Sequence, residues 1–316
     1  MALIYFTERG IMKVVREILF SIIGISVITL LILWGLGFFK GAKTPSQVAN
    51  KVVPTTQKKV KNLKILALGD SLTQGVGDTK NQSGYQQRLA KKITKTKQIK
   101  KATIYDEGVS GERSDQILKR FKTTTKIQKE AAKSDVLIVT AGGNDLFQNL
   151  QKDVTESPSQ VAVNVNRISL TYQDNLENIF KYARKLNPKI KIVMVGIYNP
   201  FYVYFPNVVA ITDAINTFNT TAKATGDYFK HATFVDINAL SVGQYKTLSQ
   251  QQRLKKQSTE DDIAVVEKSQ LEKSKFDTKE KNNYLSDADH FHPNDKGYDM
   301  MADKIFKAMD RARIFK

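Results

Sequence analysis

Five short apolar, β-branched runs, at residues 63–68, 102–105, 136–140, 190–197 and 233–237, alternate with segments of helical periodicity at 84–96, 114–121, 161–186, 211–229 and 295–309. Joining successive strands through helices makes them parallel neighbours in one sheet, with helices covering both faces. The pattern predicts an α/β domain that starts near Leu63 and contains no internal repeat. In open sheets of this kind ligands bind beyond the carboxyl ends of the strands. The residues that follow each run therefore carry the most information.

The first run enters Gly69-Asp70-Ser71-Leu72, a strand-to-helix turn that presents the Ser71 hydroxyl together with its own backbone N–H, one half of an oxyanion hole. A helix cap is the alternative reading of the same turn. A nucleotide-binding loop is not: the glycines at 69, 75 and 77 miss the G-x-G-x-x-G spacing, and no Lys-Ser/Thr pair closes the loop. Gly108-Val109-Ser110-Gly111-Glu112 follows the second run. There Gly111 either donates its N–H to a developing oxyanion or serves only as a turn residue. The third run ends in Ala141-Gly142-Gly143-Asn144-Asp145, where the Asn144 amide is a suitable oxyanion donor and capping by Asn144 or Asp145 is the alternative.

With three histidines in 316 residues, a general base near neutral pH has few candidates. His231 precedes the fifth run at a helix end, whereas His290 and His292 lie in Asp287-Ala288-Asp289-His290-Phe291-His292-Pro293, ahead of the last helix. Asp289 is close enough in a turn to hold one nitrogen of the His292 ring. The same cluster has the composition of a metal site, but a metal hydrolase would not need Ser71, Gly111 and Asn144 as well.

Taken in order, Gly69-Asp70-Ser71-Leu72, Gly111 within Gly-Val-Ser-Gly, Gly142-Gly143-Asn144-Asp145 and Asp289-x-x-His292-Pro293 resemble the four blocks of the SGNH/GDSL family of serine esterases and acylhydrolases. The resemblance covers residues 63 to 316 apart from a charged insertion at about 241–283. It implies a three-layer α/β/α sandwich with a flavodoxin-like parallel five-stranded sheet. It further implies Ser71 as nucleophile, His292 as its base, Asp289 as the residue orienting the histidine, and an oxyanion hole of Ser71 N–H, Gly111 N–H and the Asn144 amide. No cofactor or metal is required by such a mechanism. The expected substrate is a carboxylic ester, either a lipid acyl ester or an O-acetyl group on a carbohydrate; the competing reading is a non-catalytic surface module that holds anionic polymers.

Outside that domain, residues 18–39 form an uncharged, mostly apolar run, long enough at about 1.5 Å per helical residue to cross a hydrocarbon core of about 30 Å. A cleaved signal has a shorter apolar core and a small-residue cleavage site, whereas this run ends in Phe38 and Phe39. With Arg9, Lys13 and Arg16 ahead of it, the expected order is a cytoplasmic tail at 1–17, a transmembrane signal anchor at 18–39, a flexible linker at 40–62 and an extracytoplasmic enzyme beyond. The anchored arrangement looks like the surface-exposed lipase/acylhydrolase branch of Gram-positive bacteria. Absence of cysteine removes disulfides and thiolate chemistry. The net charge of +18 comes without a nucleic-acid recognition motif or aromatic-basic alternation, so anionic lipid or wall polymer is the expected partner and nucleic acid is not. Oligomeric state is left open. The aromatic stretch from Tyr198 to Pro206 either lines an apolar pocket or packs on its own core.

Overall fold

A computed structural model describes residues 60–152, 157–258 and 280–315. The expected tail at 1–17, the span at 18–39, most of the linker and the middle of the insertion lie outside these residues. Among the described residues no helix is long and apolar enough to cross a membrane.

Strands β1 (Val60–Gly69), β2 (Ile99–Gly108), β3 (Val136–Thr140), β4 (Lys191–Val195) and β5 (Ala232–Val235) form one parallel sheet in the order β2-β1-β3-β4-β5. This is the flavodoxin-like order, whose direction of winding reverses between β1 and β3. The domain starts slightly earlier than the apolar pattern suggests, because Val60 and Asn62, placed in the linker by sequence, already pair with Ile99 and Lys101. Strand β2 is likewise longer than its apolar core. It lies at the sheet's edge, where Lys100 and Lys101 project into solvent without penalty.

Side chains alternate across a strand with period two, and the alternation sorts the core into two layers. Leu66, Leu68, Leu137, Val139, Ile192 and Met194 face helices α3 (Ser114–Thr123), α4 (Thr125–Lys133), α6 (Pro158–Leu186) and α7 (Val209–Tyr228). Ile65, Ala67, Val136, Ile138, Val193 and Val195 face α2 (Tyr85–Thr94) and the closing helix α10 (Asp295–Arg311). Short elements complete the described chain: α1 (Ser71–Gln74), α5 (Gly143–Leu150), α8 (Ala239–Val242) and α9 (Leu248–Gln257). Helices α4 and α5 are not legible as periodic segments. Only Ile127 and Ala131 supply apolar burial in α4, and α5 opens on the two glycines of the third motif.

The ends of the expected insertion belong to the core rather than to solvent. Ser241 and Asn282 are both buried, and the Asn282 amide donates to the carbonyls of Leu240 and Ser241 at 2.7 and 3.2 Å. Between them α9 buries none of its residues.

One buried cation ties the loop after Ser71 to the last helix. The Arg88 guanidinium, 3% exposed, donates to Asp78 Oδ1 at 2.9 Å, Asp295 Oδ1 at 2.7 Å, Asp299 Oδ1 at 2.9 Å and the Gly84 carbonyl at 2.6 Å. Burial alone would push the Asp78 carboxyl up. Hydrogen bonding by Arg88 and by the Gln82 N–H outweighs it and holds the group at about 2. The folded value lies below the unfolded one of about 3.9, so this pairing stabilises the native state fully above that pH and is lost as pH falls towards the folded value. Asp78→Asn should lower the urea midpoint at neutral pH and flatten its decline between about pH 4 and pH 2, where the carboxylate it replaces titrates.

Candidate active site

Ser71 stands at the reversal point of the sheet. Strand β1 ends at Gly69, Asp70 caps α1 by accepting the Leu72 N–H at 3.0 Å, and Ser71 is the first helical residue. Its backbone N–H has no acceptor among the described residues, as expected of a first-turn donor. The residue is 6% exposed and lines a cleft.

From the far end of the chain, the Asp289 turn reaches the same hydroxyl. Asp289 Oδ1 accepts the backbone N–H groups of Phe291 and His292 at 3.0 and 2.9 Å, which folds the turn tightly on itself. Its Oδ2 lies 2.6 Å from His292 Nδ1, and His292 Nε2 lies 2.8 Å from Ser71 Oγ across a separation of 221 residues. Burial pushes the Asp289 carboxyl up, yet the hydrogen bonds from the His292 ring and backbone and from Phe291 N–H bring it below the usual range. An ionised carboxylate can only accept. Nδ1 therefore carries the ring proton, and Nε2 presents its lone pair to the serine hydroxyl. An antiparallel bridge between Leu285 and Pro293 holds this loop from behind, as do the Ser286 N–H to the His292 carbonyl and the Tyr198 hydroxyl to the Phe291 carbonyl at 2.6 Å.

The two central motifs close the site on its other side. Gly142 has φ of +106°, and a Cβ there would lie 2.8 Å from the Tyr172 ring, so both conformation and space require glycine. The turn starts α5 with Asn144 in its first turn, on the cleft wall. Asn144 Nδ2 donates one hydrogen to the Glu112 carbonyl at 2.9 Å, leaving the second for a ligand. Gly111, at φ of +82°, lies on the loop beside Asn144, where Gln148 Nε2 donates to its carbonyl at 2.9 Å. Its own N–H has no acceptor among the described residues. Asp145 does act as a cap, but of a different helix: its carboxylate accepts the Ser114 N–H at 2.9 Å and the Ser114 hydroxyl at 2.5 Å, at the start of α3. Burial raises the Asp145 carboxyl despite those bonds.

The remaining histidines stand apart from this row. His231 lies in the turn before β5 with φ of +60°. His290 turns its Nδ1 to Glu280 Oε2 at 2.6 Å and to the Tyr204 hydroxyl at 3.3 Å. The two rings of the His-x-His pair thus have separate partners, and no group of three or more metal-ligating side chains converges among the described residues.

Beneath the serine runs a polar network that sequence motifs do not mark. Thr140, at the end of β3, donates to Asp70 Oδ1 at 2.9 Å and lies 2.8 Å from Thr73 Oγ1, which lies 3.1 Å from the Tyr85 hydroxyl. Burial raises the Asp70 carboxyl against the pull of Thr140 and the Leu72 N–H. Over these groups opens a cleft whose apolar lining comes from Leu72, Phe147, Ile197, Tyr198, Pro200 and Phe291. The aromatic stretch after β4 does both things expected of it. Tyr198 and Pro200 face the cleft, while Tyr202 and Phe205 are buried and Phe201 packs edge-on against Phe147 at 5.8 Å. Thr140→Val, which keeps the shape but removes the hydroxyl between Asp70 and Thr73, should destabilise the fold by about 1–3 kcal/mol, measured by chemical denaturation.

Comparison with known proteins accords with this geometry. Residues 67–300 match the GDSL-like lipase/acylhydrolase family. Among relatives, the uncharacterized protein YpmR of Bacillus subtilis is 28% identical over 85% of this chain and 89% of its own length. The spore germination lipase LipC of Bacillus licheniformis is 26% identical over 77% of this chain and 94% of its own. In fold, the lipase Lip_vut3 from a goat rumen metagenome superposes with a TM-score of 0.56 at 24% identity, over 78% of this chain and 97% of that one. The chain belongs to the GDSL-like lipase/acylhydrolase family of ester-hydrolysing enzymes.

Proposed function

We propose that Ser71 is the nucleophile of a serine esterase, His292 its general base and Asp289 the group that fixes the imidazole. The observation that carries this reading is the unbroken hydrogen-bonded row from Asp289 through His292 to Ser71. As Ser71 Oγ attacks an ester carbonyl, its proton passes to His292 Nε2, and Asp289 stabilises the imidazolium that forms. The tetrahedral oxyanion is received by the N–H groups of Ser71 and Gly111 and by the second Asn144 amide hydrogen. The alcohol departs with the proton held by His292. Water then attacks the acyl-enzyme with His292 again as base, regenerating Ser71.

Two ester classes fit the apolar wall of the cleft: lipid acyl esters, in keeping with the lipase names of its relatives, and O-acetyl groups on surface carbohydrate. The proposed cellular setting is a single-pass membrane protein anchored through residues 18–39, with residues 63–316 as the extracytoplasmic enzyme.

Ser71→Ala should lower p-nitrophenyl acetate turnover by about 10⁴-fold or more and abolish fluorophosphonate labelling while leaving the circular dichroism spectrum unchanged. Retained turnover would overturn the assignment. Asp289→Asn should slow kcat by up to about 10⁴-fold and slow fluorophosphonate labelling with it, because the amide NH₂ can donate to Nδ1 and so favour the tautomer with its proton on Nε2, which cannot take the serine proton.

A further inference from the structure

In a parallel sheet every connection that leads into a strand lies at the end opposite the carboxyl edge. At that end, away from Ser71, the exposed cations Lys95, Lys97, Lys189, Lys230 and Arg313 occupy the turns before β2, β4 and β5 and the turn after α10. None of the five forms an ion pair among the described residues. Lys133 and Arg311, on the last turns of α4 and α10, are accounted for by the negative ends of those helices. Lys97, Lys189, Lys230 and Arg313 lie outside the helices, and that explanation does not reach them. The carboxylates at this end are few: Asp135 accepts the Lys64 N–H, Asp227 pairs with Lys223, Glu130 is buried in the last turn of α4, and Asp310 lies in the last turn of α10. At the catalytic edge Asp78, Glu107 and Glu112 hold Arg88, Arg120 and Lys126 in ion pairs, and Asp145 is buried.

We infer that this basic end docks on the anionic surface of the membrane that carries the protein, turning the catalytic cleft outward. The inference rests on the anchored reading above, and topology supports it: the chain enters the domain at the same basic end, where β1 begins at Val60 beside Ile99. Phosphate headgroups attract such a surface within a Debye length of about 8–10 Å. The ten residues of β1 then separate the docked face from the cleft by about 30 Å at about 3.3 Å per residue. Docked in this way, Ser71 is out of reach of acyl chains in the host bilayer. The ester must come from the outer side, as an acylated carbohydrate or another ester presented in the aqueous layer.

The absence of native cysteine makes a direct test possible on the full chain, with single fluorophores at Pro188→Cys near the basic end and Val109→Cys near the catalytic edge. Reconstituted into vesicles bearing a headgroup quencher, the 188 reporter should be quenched when the lipid contains phosphatidylglycerol and not when it is phosphatidylcholine alone; the 109 reporter should stay bright in both. High salt, or Lys97→Gln, Lys189→Gln and Lys230→Gln together, should weaken docking, by about fivefold per cation removed, without changing turnover of p-nitrophenyl acetate. A long-chain ester embedded in the same vesicle should be cleaved several-fold more slowly than that ester supplied in separate micelles. Equal quenching in the two lipids, quenching at 109, or displacement of the 188 reporter by soluble polyphosphate at matched charge would overturn the inference, the last assigning the surface to a polymer. Carbonate extraction reports separately on the anchor and turnover of the soluble ester on the catalytic reading, so failure of either is distinguishable from failure of docking.

Discussion

The pairing of β1 with β3 sets the positions of everything else in the site. Because the winding reverses between these strands, the connections that leave them go to opposite faces and open a crevice above their carboxyl ends. The turn carrying Ser71 leaves one side of that crevice and the turn carrying Asn144 leaves the other. Thr140 joins the two strand ends through Asp70, so the hydroxyl and the amide are held on one rigid frame. The third component, the Asp289 turn, arrives from the opposite end of the chain and is secured separately, by α10 through Arg88 and by the segment after β4 through Tyr198.

Three carboxyl groups around one serine differ in their environments, and the differences suit distinct tasks. Asp70 and Asp145 are buried deeply enough for desolvation to raise them, and each is spent on a helix start. Asp289 is partly open and surrounded by donors that lower its carboxyl, which suits the role proposed for it of holding an imidazole that gains charge. A single row of motif letters thus resolves into two structural capping groups and one electrostatic partner. The aromatic residues contribute the complementary property, an apolar lining to the same cleft.

Charge at the scale of the whole domain follows the same axis as the chemistry. Parallel strands collect all entering turns at one end and all leaving turns at the other, so a bias in turn composition becomes a bias in surface potential. Here the leaving turns carry the proposed catalytic groups and the entering turns carry unpaired lysines. The polarity would orient the enzyme relative to an anionic surface without adding a domain.

Membership of the family was legible, and Ser71, Gly111, Asn144, Asp289 and His292 could be named as candidates, because each lies in a short turn whose residue types are dictated locally, by a glycine conformation or a three-residue Asp-to-His spacing. The five strands and most of the long helices were legible for the same reason, since apolar periodicity is a local property of a chain that must bury one face. Helix α5 was not, because glycines that normally interrupt helices here begin one, and the spacing alone could not show that Tyr172 fills the space above Gly142. Nor could any motif reveal that Arg88 gathers Asp78, Asp295 and Asp299, that Thr140 supports Asp70, or that His290 turns to Glu280 rather than to the serine. The linear order of residues therefore determined which groups are available and which local turns carry them. Only the tertiary structure decided which groups meet, because hydrogen bonds and ion pairs depend on distances of a few ångströms between residues far apart in the chain, and those distances are set by how strands and helices pack.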